Sequence, residues 1–374
     1  MDFVHYFTAF AVSLVVAFGI MPAVIRVAHR VGAVDHPGER RAHSGSIPRL
    51  GGIGIFVAFV AGVGASTVVA GRAGTLSGPV DYNWPGVALG MCVIFLAGLI
   101  DDLRGLRPST KLAFQTAAAA IAVLSGFRID LISSPFGGSI DLGSLGVWVT
   151  FGWILLVINA MNLIDGLDGL AGGLALIVTT TVAAVALTMD QFGVVISALA
   201  LAGAVTGFLR YNFAPAQIFM GDAGSQFLGY VLAVISIRGS QKGATAVAIL
   251  VPLLSFGLPI MDVLMAVFRR VRSGSEEQGK GPLAMLRRVS RPDREHLHHN
   301  LLDLGLSPRR AALALYLIAA AFALSGYLTL VHNSLYLAVL TMILSVGSVA
   351  VIKIVLAGAR GRLRAGHSGG HRPV

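Results

Sequence analysis

Five carboxylates stand where charge is expensive. Asp101 and Asp102 lie in GLIDDLRGLRPSTK, Asp165 and Asp168 in INAMNLIDGLDGLAGG, and Asp222 in NFAPAQIFMGDAGSQ, each beside a long apolar run. The chain holds only 18 acidic residues, so their positions are informative. Ionisable groups at membrane depth usually mark a functional site. The bland reading of any one of them is a helix cap or a water-facing loop charge; five on one face, flanked by Gly and Asn, argue for a site. Clustered carboxylates repel and need a cation. An oxygen donor set without cysteine suits Mg2+ or Mn2+, hard ions that carry substrate phosphates and leave coordination positions open for a diphosphate. Gly166, Gly169, Gly172 and Gly173 let backbone come close to a ligand, and the helix that follows presents its first amides to an anion.

A basic set complements the acidic one. DHPGERRAHSGSIPRLGG carries Arg40, Arg41, His43 and Arg49, and SRPDREHLHHNLLDLGLS carries Arg291, Arg294, His296, His298 and His299. Arginine grips phosphate in bidentate fashion. The three histidines lack the partner spacing of a zinc site, so phosphate or sugar contact is their better use. The residues alone point to an inward-facing membrane site for a phosphorylated substrate.

The elements that must position these residues follow from composition. The chain has 374 residues, 55% hydrophobic and 12% charged. Apolar runs near 18 residues or longer read as membrane helices; they fall at roughly 3–25, 50–70, 84–100, 111–127, 145–161, 169–188, 191–209, 223–238, 244–268, 311–331 and 333–357. The expected fold is an all-α polytopic bundle of about eleven helices, because open sheets cannot satisfy their backbone in lipid. Residues 1–358 form one membrane domain and 359–374 a disordered basic tail. Arg26 and Arg30 follow the first run instead of preceding it, which argues against a cleaved signal and puts the N-terminus outside. Eleven spans then place 24 of the 28 basic residues, and the C-terminus, on the cytoplasmic side. All three acidic loops meet on that face. The net charge of +10 reflects this topology and attraction to anionic lipid, and nucleic acid is not an expected partner. Cys92 stands alone, so no intrachain disulfide forms. Residues 128–143 alternate around a Pro/Gly/Ser turn and suggest a short outer β-hairpin.

The ordered set LIDDLRGL, NAMNLIDGLDGLAGG, FMGDAGS and HLHHNLLDLGLS resembles the polyprenyl-phosphate N-acetylhexosamine-1-phosphate transferases, the MraY/WecA superfamily or glycosyltransferase family 4. The resemblance implies a bundle of ten or eleven helices in the inner or plasma membrane, with a cytoplasmic site and Mg2+. It implies transfer of a sugar-1-phosphate from a UDP-sugar to a polyprenyl phosphate, with release of UMP. On it, Asp101 and Asp102 match the paired aspartates near the lipid phosphate, and Asp222 matches the chief metal ligand. Asn162 and Asp165 match the polar pair facing metal and nucleotide, with Asn212 a further substrate-binding candidate. Gly166, Leu167, Asp168 and Phe219 match the uracil pocket, the phenyl ring stacking on the base. His296, His298 and His299 match the histidine motif near the diphosphate, beside Arg291 and Arg294. Asp262 fits the family pattern without an assigned role.

The branch is read from two departures. MraY-type enzymes carry three adjacent histidines and a lysine in the first inner loop; here the pattern is HLHH and no lysine precedes Lys111, so Arg41 or His43 would take that contact. This is closer to the WecA and teichoic-acid-initiating branch, with UDP-N-acetylglucosamine as the implied donor and undecaprenyl or decaprenyl phosphate as the acceptor. Lipopolysaccharide, teichoic acid and arabinogalactan synthesis are the pathways such a product could feed. The alternatives are a phospho-N-acetylmuramoyl-pentapeptide transferase and, from another class, an ion-coupled transporter. A transporter would hold its carboxylates near the bilayer midplane and often show internal repeats, and neither is visible. A homodimer is the protein partner considered. In-line attack by the lipid phosphate is the expected route, with Asp101 or Asp102 taking its proton; a phospho-aspartyl intermediate is the rival.

Overall fold

Apolar runs become helices in lipid because each segment must satisfy its own backbone. A computed structural model of the protein describes residues 2–35, 46–72, 84–133, 139–240, 301–302 and 304–332, with isolated positions 257, 260, 336, 340, 343 and 347. The described helices are α1 (Asp2–Val31), α2 (Gly51–Arg72), α3 (Trp84–Arg104), α4 (Pro108–Leu124), α5 (Leu145–Ile164), α6 (Leu170–Thr188), α7 (Phe192–Asn212), α8 (Gly221–Ser240) and α9 (Pro308–His332). Among the described residues, seven helices are long and apolar enough to cross a membrane: α1, α2, α3, α5, α6, α7 and α9. The protein is thus mostly helical, with the make-up of a multi-pass membrane protein. The expected spans at 244–268 and 333–357 lie almost wholly outside the described residues, as do Asp262 and the basic tail.

Local chemistry sets the helix ends. The span expected from residue 111 starts three residues earlier, because Pro108 occupies the first turn and extended Arg107 precedes it. The span expected from 223 starts at Gly221, whose positive φ of 74° turns the chain into α8. Strand β1 (Val34–Asp35) pairs antiparallel with β2 (Ile47–Pro48), tying together the ends of the loop between α1 and α2. Strands β3 (Leu131–Ser133) and β4 (Ser139–Asp141) also pair antiparallel, within the stretch read as a hairpin.

Two groups of helices meet at the core. Helix α1 packs on α2 and α7, and α7 packs on α6; α3 and α5 flank α8, and α4 lies against α3 and α5. Small residues set the close approaches, as membrane packing favours. A Cβ on Gly229 of α8 would lie 2.6 Å from the Ile158 Cα of α5, and one on Gly98 of α3 would lie 2.5 Å from the Ala223 Cα of α8.

Candidate functional site

The site is built on the first turn of α8. Its orphan amides are claimed by Asp102: Oδ1 accepts the Asp222 N–H at 2.8 Å and Oδ2 accepts the Ala223 N–H at 2.9 Å. A carboxylate is a favourable partner there, since it answers both the unpaired donors and the positive end of the helix. Gly98 sits one turn before Asp102 on the same face of α3, and its missing side chain is what lets α3 close on α8. From the other side, the backbone of α2's entry holds the first residues of FMGDAGS. The Gly51 amide donates to the Phe219 carbonyl at 3.0 Å and the Gly52 amide to the Met220 carbonyl at 2.8 Å, while the Phe219 amide donates to the Pro48 carbonyl at 2.7 Å.

Four helices converge on the carboxylate so positioned. Lys111 Nζ of α4 lies 2.5 Å from Asp222 Oδ2 and 2.5 Å from Asp101 Oδ2 of α3. Asp101 Oδ1 accepts the Leu106 amide at 2.5 Å. Asn162 of α5 donates to Asp222 Oδ1 at 3.1 Å and to Ser225 Oγ at 2.9 Å. Gln226, one turn along α8, donates to Asp222 Oδ2 at 3.3 Å.

A second cluster surrounds the turn between α5 and α6. Gly169 adopts a φ of 77°, which a side chain would oppose. Its amide donates to Asn212 Oδ1 at 3.0 Å, and Asn212 Nδ2 donates to the Ile218 carbonyl at 2.9 Å. Asp168 Oδ2 accepts the Ala216 amide at 2.9 Å. Tyr316 of α9 donates its hydroxyl to the Gly169 carbonyl at 2.5 Å. The DGLDG turn and the 213–220 loop are therefore one tied unit. Leu167 is buried in it, Gly166 is exposed, and Phe219 is half-buried. Part of Asp165 stays open, yet burial pushes its carboxyl well above the usual carboxylate range, and the charges of Asp222, Asp102 and Asp168 push the same way.

The structure thus brings together Asp101, Asp102, Asn162 and Asp222, with Asp165 close enough to feel their charge. It engages both Asp102 oxygens and both ends of the Asn212 amide in bonds between segments. It also adds Lys111, which sequence reading counted only as an inside positive charge; a lysine entering an apolar run ten residues after a paired aspartate was the signal for it. Arg41, His43, Arg291, Arg294, His296, His298 and His299 lie outside the described residues.

Among the described residues, no three carboxylate, histidine or cysteine side chains form a ready-made metal cage. An ion such as Mg2+ needs only one or two protein oxygens, with water and substrate phosphate completing its shell. Asn162 turns its NH2 to Asp222 Oδ1 at 3.1 Å, so an ion drawing an oxygen from each would need that amide turned over. The charge balance also fits: five aspartates share this region with Lys111 and, near Asp102, with Arg49.

Comparison with known proteins decides the family. The family model described as Glycosyl transferase family 4 matches residues 84–240, which runs from the start of α3 to the end of α8. A Bacillus subtilis (strain 168) protein named probable undecaprenyl-phosphate N-acetylglucosaminyl 1-phosphate transferase is 38% identical over 85% of this chain and 83% of its own length. The chain belongs to glycosyl transferase family 4. Within this family it is also similar to a Mycolicibacterium smegmatis decaprenyl-phosphate N-acetylglucosaminephosphotransferase, 35% identical over 93% of this chain and 86% of the relative. An Escherichia coli (strain K12) undecaprenyl-phosphate alpha-N-acetylglucosaminyl 1-phosphate transferase is 27% identical over 81% of the chain and 78% of the relative. The family match covers every helix that feeds Asp222.

Proposed function

We propose that this chain transfers N-acetylglucosamine-1-phosphate from UDP-N-acetylglucosamine to a polyprenyl phosphate, undecaprenyl or decaprenyl, giving the polyprenyl-diphosphate-linked sugar and UMP. The observation that carries this reading is the convergence of Asp101, Lys111 and Asn162 on Asp222, at the ends of α3, α4, α5 and α8, in a chain whose relatives bear the names above. Such a site can hold a diphosphate and a lipid phosphate side by side. The bundle is proposed to have eleven spans, the N-terminus outside and the site on the cytoplasmic face of the inner or plasma membrane. A homodimer is compatible with the reading and not required by it.

In the reaction, an oxygen of the lipid phosphate attacks the β-phosphorus of the donor in line. The new P–O bond forms as the bond to the bridging oxygen breaks, and UMP leaves with that electron pair. Mg2+ or Mn2+, held by Asp222 and Asn162, would neutralise the diphosphate when bound. Lys111 places a fixed positive charge beside the same carboxylates. Asp102 is committed to capping α8, which leaves Asp101 to take a proton from an acceptor that arrives protonated. A phosphate monoester with a second pKa near ~6 is mostly deprotonated at neutral pH, so that step is needed for a minority of encounters. The uracil pocket is assigned to Gly166, Leu167, Asp168 and Phe219. His296, His298 and His299, with Arg291 and Arg294, are assigned to the diphosphate and sugar, and Arg41 or His43 to phosphate.

The test is a donor panel with purified protein, undecaprenyl phosphate and Mg2+, scored by UMP release. UDP-N-acetylglucosamine is expected to turn over fastest. Faster turnover of the muramoyl-pentapeptide donor would overturn the branch while keeping the reaction class. No UMP from any donor, with uptake into sealed proteoliposomes, would overturn the class in favour of transport.

A further inference from the structure

One turn deeper than the site, each of three helices carries a primary amide. On α4, Gln115 lies four residues past Lys111; on α5, Asn159 lies three residues before Asn162; on α8, Gln226 lies four residues past Asp222. These spacings put each amide on the same helix face as its partner above. Asn159 Nδ2 donates to Gln115 Oε1 at 2.9 Å, Gln115 Nε2 donates to Gln226 Oε1 at 3.3 Å, and Gln226 Nε2 donates to Asp222 Oδ2 at 3.3 Å. Gln115 is 4% exposed and Gln226 1%. Asn159 starts the chain and anchors it by a second bond to the Leu155 carbonyl at 2.8 Å.

The direction of this chain is dictated by its end. An ionised carboxylate only accepts, so Gln226 must turn its NH2 to Asp222. Its carbonyl then faces Gln115, which must present NH2 in turn, and the Gln115 carbonyl is left to receive Asn159. Every amide therefore points its donor toward Asp222. Hydrogen bonds aligned in this sense polarise one another, and each fixes the orientation of the next. Burying two primary amides at membrane depth is costly unless they are paired, so a chain of apolar side chains would have been the easier way to fill this space.

We propose that Asn159, Gln115 and Gln226 form an amide relay that positions the Asp222 carboxylate, holding Oδ2 toward the relay and Lys111 so that Oδ1 stays presented beside Asn162 for the ligand of the site. None of the three touches substrate in this assignment; they are positioning residues. The inference rests on the reading of Asp222 as the centre of the site, and it adds the support that keeps that centre aimed.

The test uses the full-length protein in detergent with the double variant Gln115→Leu/Gln226→Leu, and with Asn159→Ala at the far end. Replacing both partners of a buried hydrogen bond by apolar groups of similar size can be nearly neutral for folding, so the double variant is expected to keep its Tm within a few degrees. Supporting side chains of this kind typically change ligand affinity or activity by about 10–100-fold. The expected result is Mn2+ binding, followed by electron paramagnetic resonance of the free ion, weakened at least about tenfold in the double variant, with UMP release reduced to match. Asn159→Ala should shift both in the same direction by a few-fold. Native Mn2+ affinity and native turnover in a double variant of native Tm would overturn the relay. A lowered Tm with native affinity and turnover would also overturn it, reducing the amides to helix packing. If the wild-type protein released UMP from no donor, the proposed reaction would fail, while the Mn2+ titration would still decide the relay. If wild-type protein bound no Mn2+, the comparison of turnover at matched Tm would decide it.

Discussion

The helices divide into two groups that solve the same packing problem with opposite materials. Helices α1, α2, α6 and α7 meet through glycine, alanine and serine. Gly203 and Gly207 of α7 press on the backbone of α1, and Ser13 donates to the Ala58 carbonyl at 3.0 Å. Helices α3, α4, α5 and α8 enclose Asp101, Asp102, Lys111, Gln115, Asn159, Asn162, Asp222 and Gln226, bonded to each other at 2.5–3.3 Å. In lipid there is no hydrophobic drive to bring helices together, so close van der Waals contact suffices for the first group. The second group carries charge and amide at a depth where each must find a partner. The difference lies in what fills the contacts: small residues and single hydroxyl bonds between α1, α2 and α7, paired charge and amide between α3, α4, α5 and α8.

The sharpest way to break this division is to remove the charge at its centre. Asp222→Asn is expected to cut UMP release at least about a thousandfold while the Tm stays near native, because the amide keeps the volume but removes the anionic partner of Lys111 and of the proposed ion. Near-native turnover by this variant, or turnover that persists in EDTA, would end the account of Asp222 as the centre. The mirror experiment is Gly203→Leu in the other group. Its Cβ would already lie 3.0 Å from the Ser13 Cβ, so the added side chain forces α7 away from α1. Overpacking of this kind costs about 1–3 kcal/mol or more. Folded yield and Tm should fall, and turnover per folded molecule should not. Loss of specific activity at an unchanged Tm would blur the two groups into one.

Much of this was legible in the sequence, for physical reasons. Apolar runs report their length directly, so the described helices fall where they were expected, within a few residues. The three acidic loops were legible because charge beside such runs is rare. What could not be read was the register between helices. Gln115, Asn159 and Gln226 are 44 and 67 residues apart in sequence and form no motif; only the rotation of α4, α5 and α8 brings them into line. The paired aspartates looked equivalent, yet Asp102 faces the start of α8 and Asp101 faces Lys111. Which member of a pair points where depends on helix rotation, and periodicity alone does not fix it.

Phe219 sits where the two groups join, its backbone bonded to Pro48 and Gly51 at the entry to α2 and its sequence leading into α8. Stacking of an aromatic ring on a base is worth about 1–3 kcal/mol. Phe219→Ala is therefore expected to raise the donor KM about tenfold and to leave the acceptor KM nearly unchanged. A shift confined to the acceptor would move the uracil pocket to another part of the site.

The smallest expected effect tests whether α9 serves the chemistry from outside both groups. Tyr316 lies 147 residues from Gly169 in sequence, and its hydroxyl meets the Gly169 carbonyl at 2.5 Å. The ring also fills the space over Gly173, where any Cβ would collide with it. Tyr316→Phe keeps the ring and removes the hydroxyl, so packing is retained and one partly buried hydrogen bond is lost. Such a bond contributes about 0.5–1.5 kcal/mol net, and the carbonyl keeps its bond from the Gly173 amide at 2.9 Å. The turn that carries Gly166, Leu167 and Asp168 would be held by Asn212 and the Ala216 contact alone, with more freedom where the uracil is expected to bind. The donor KM should rise about two- to fivefold, while the acceptor KM and the Tm change little. If the acceptor KM rose instead, α9 would belong to the lipid side of the site. If neither changed, the turn would be rigid without Tyr316, and the bonds from Asn212 and Asp168 would be enough to shape it.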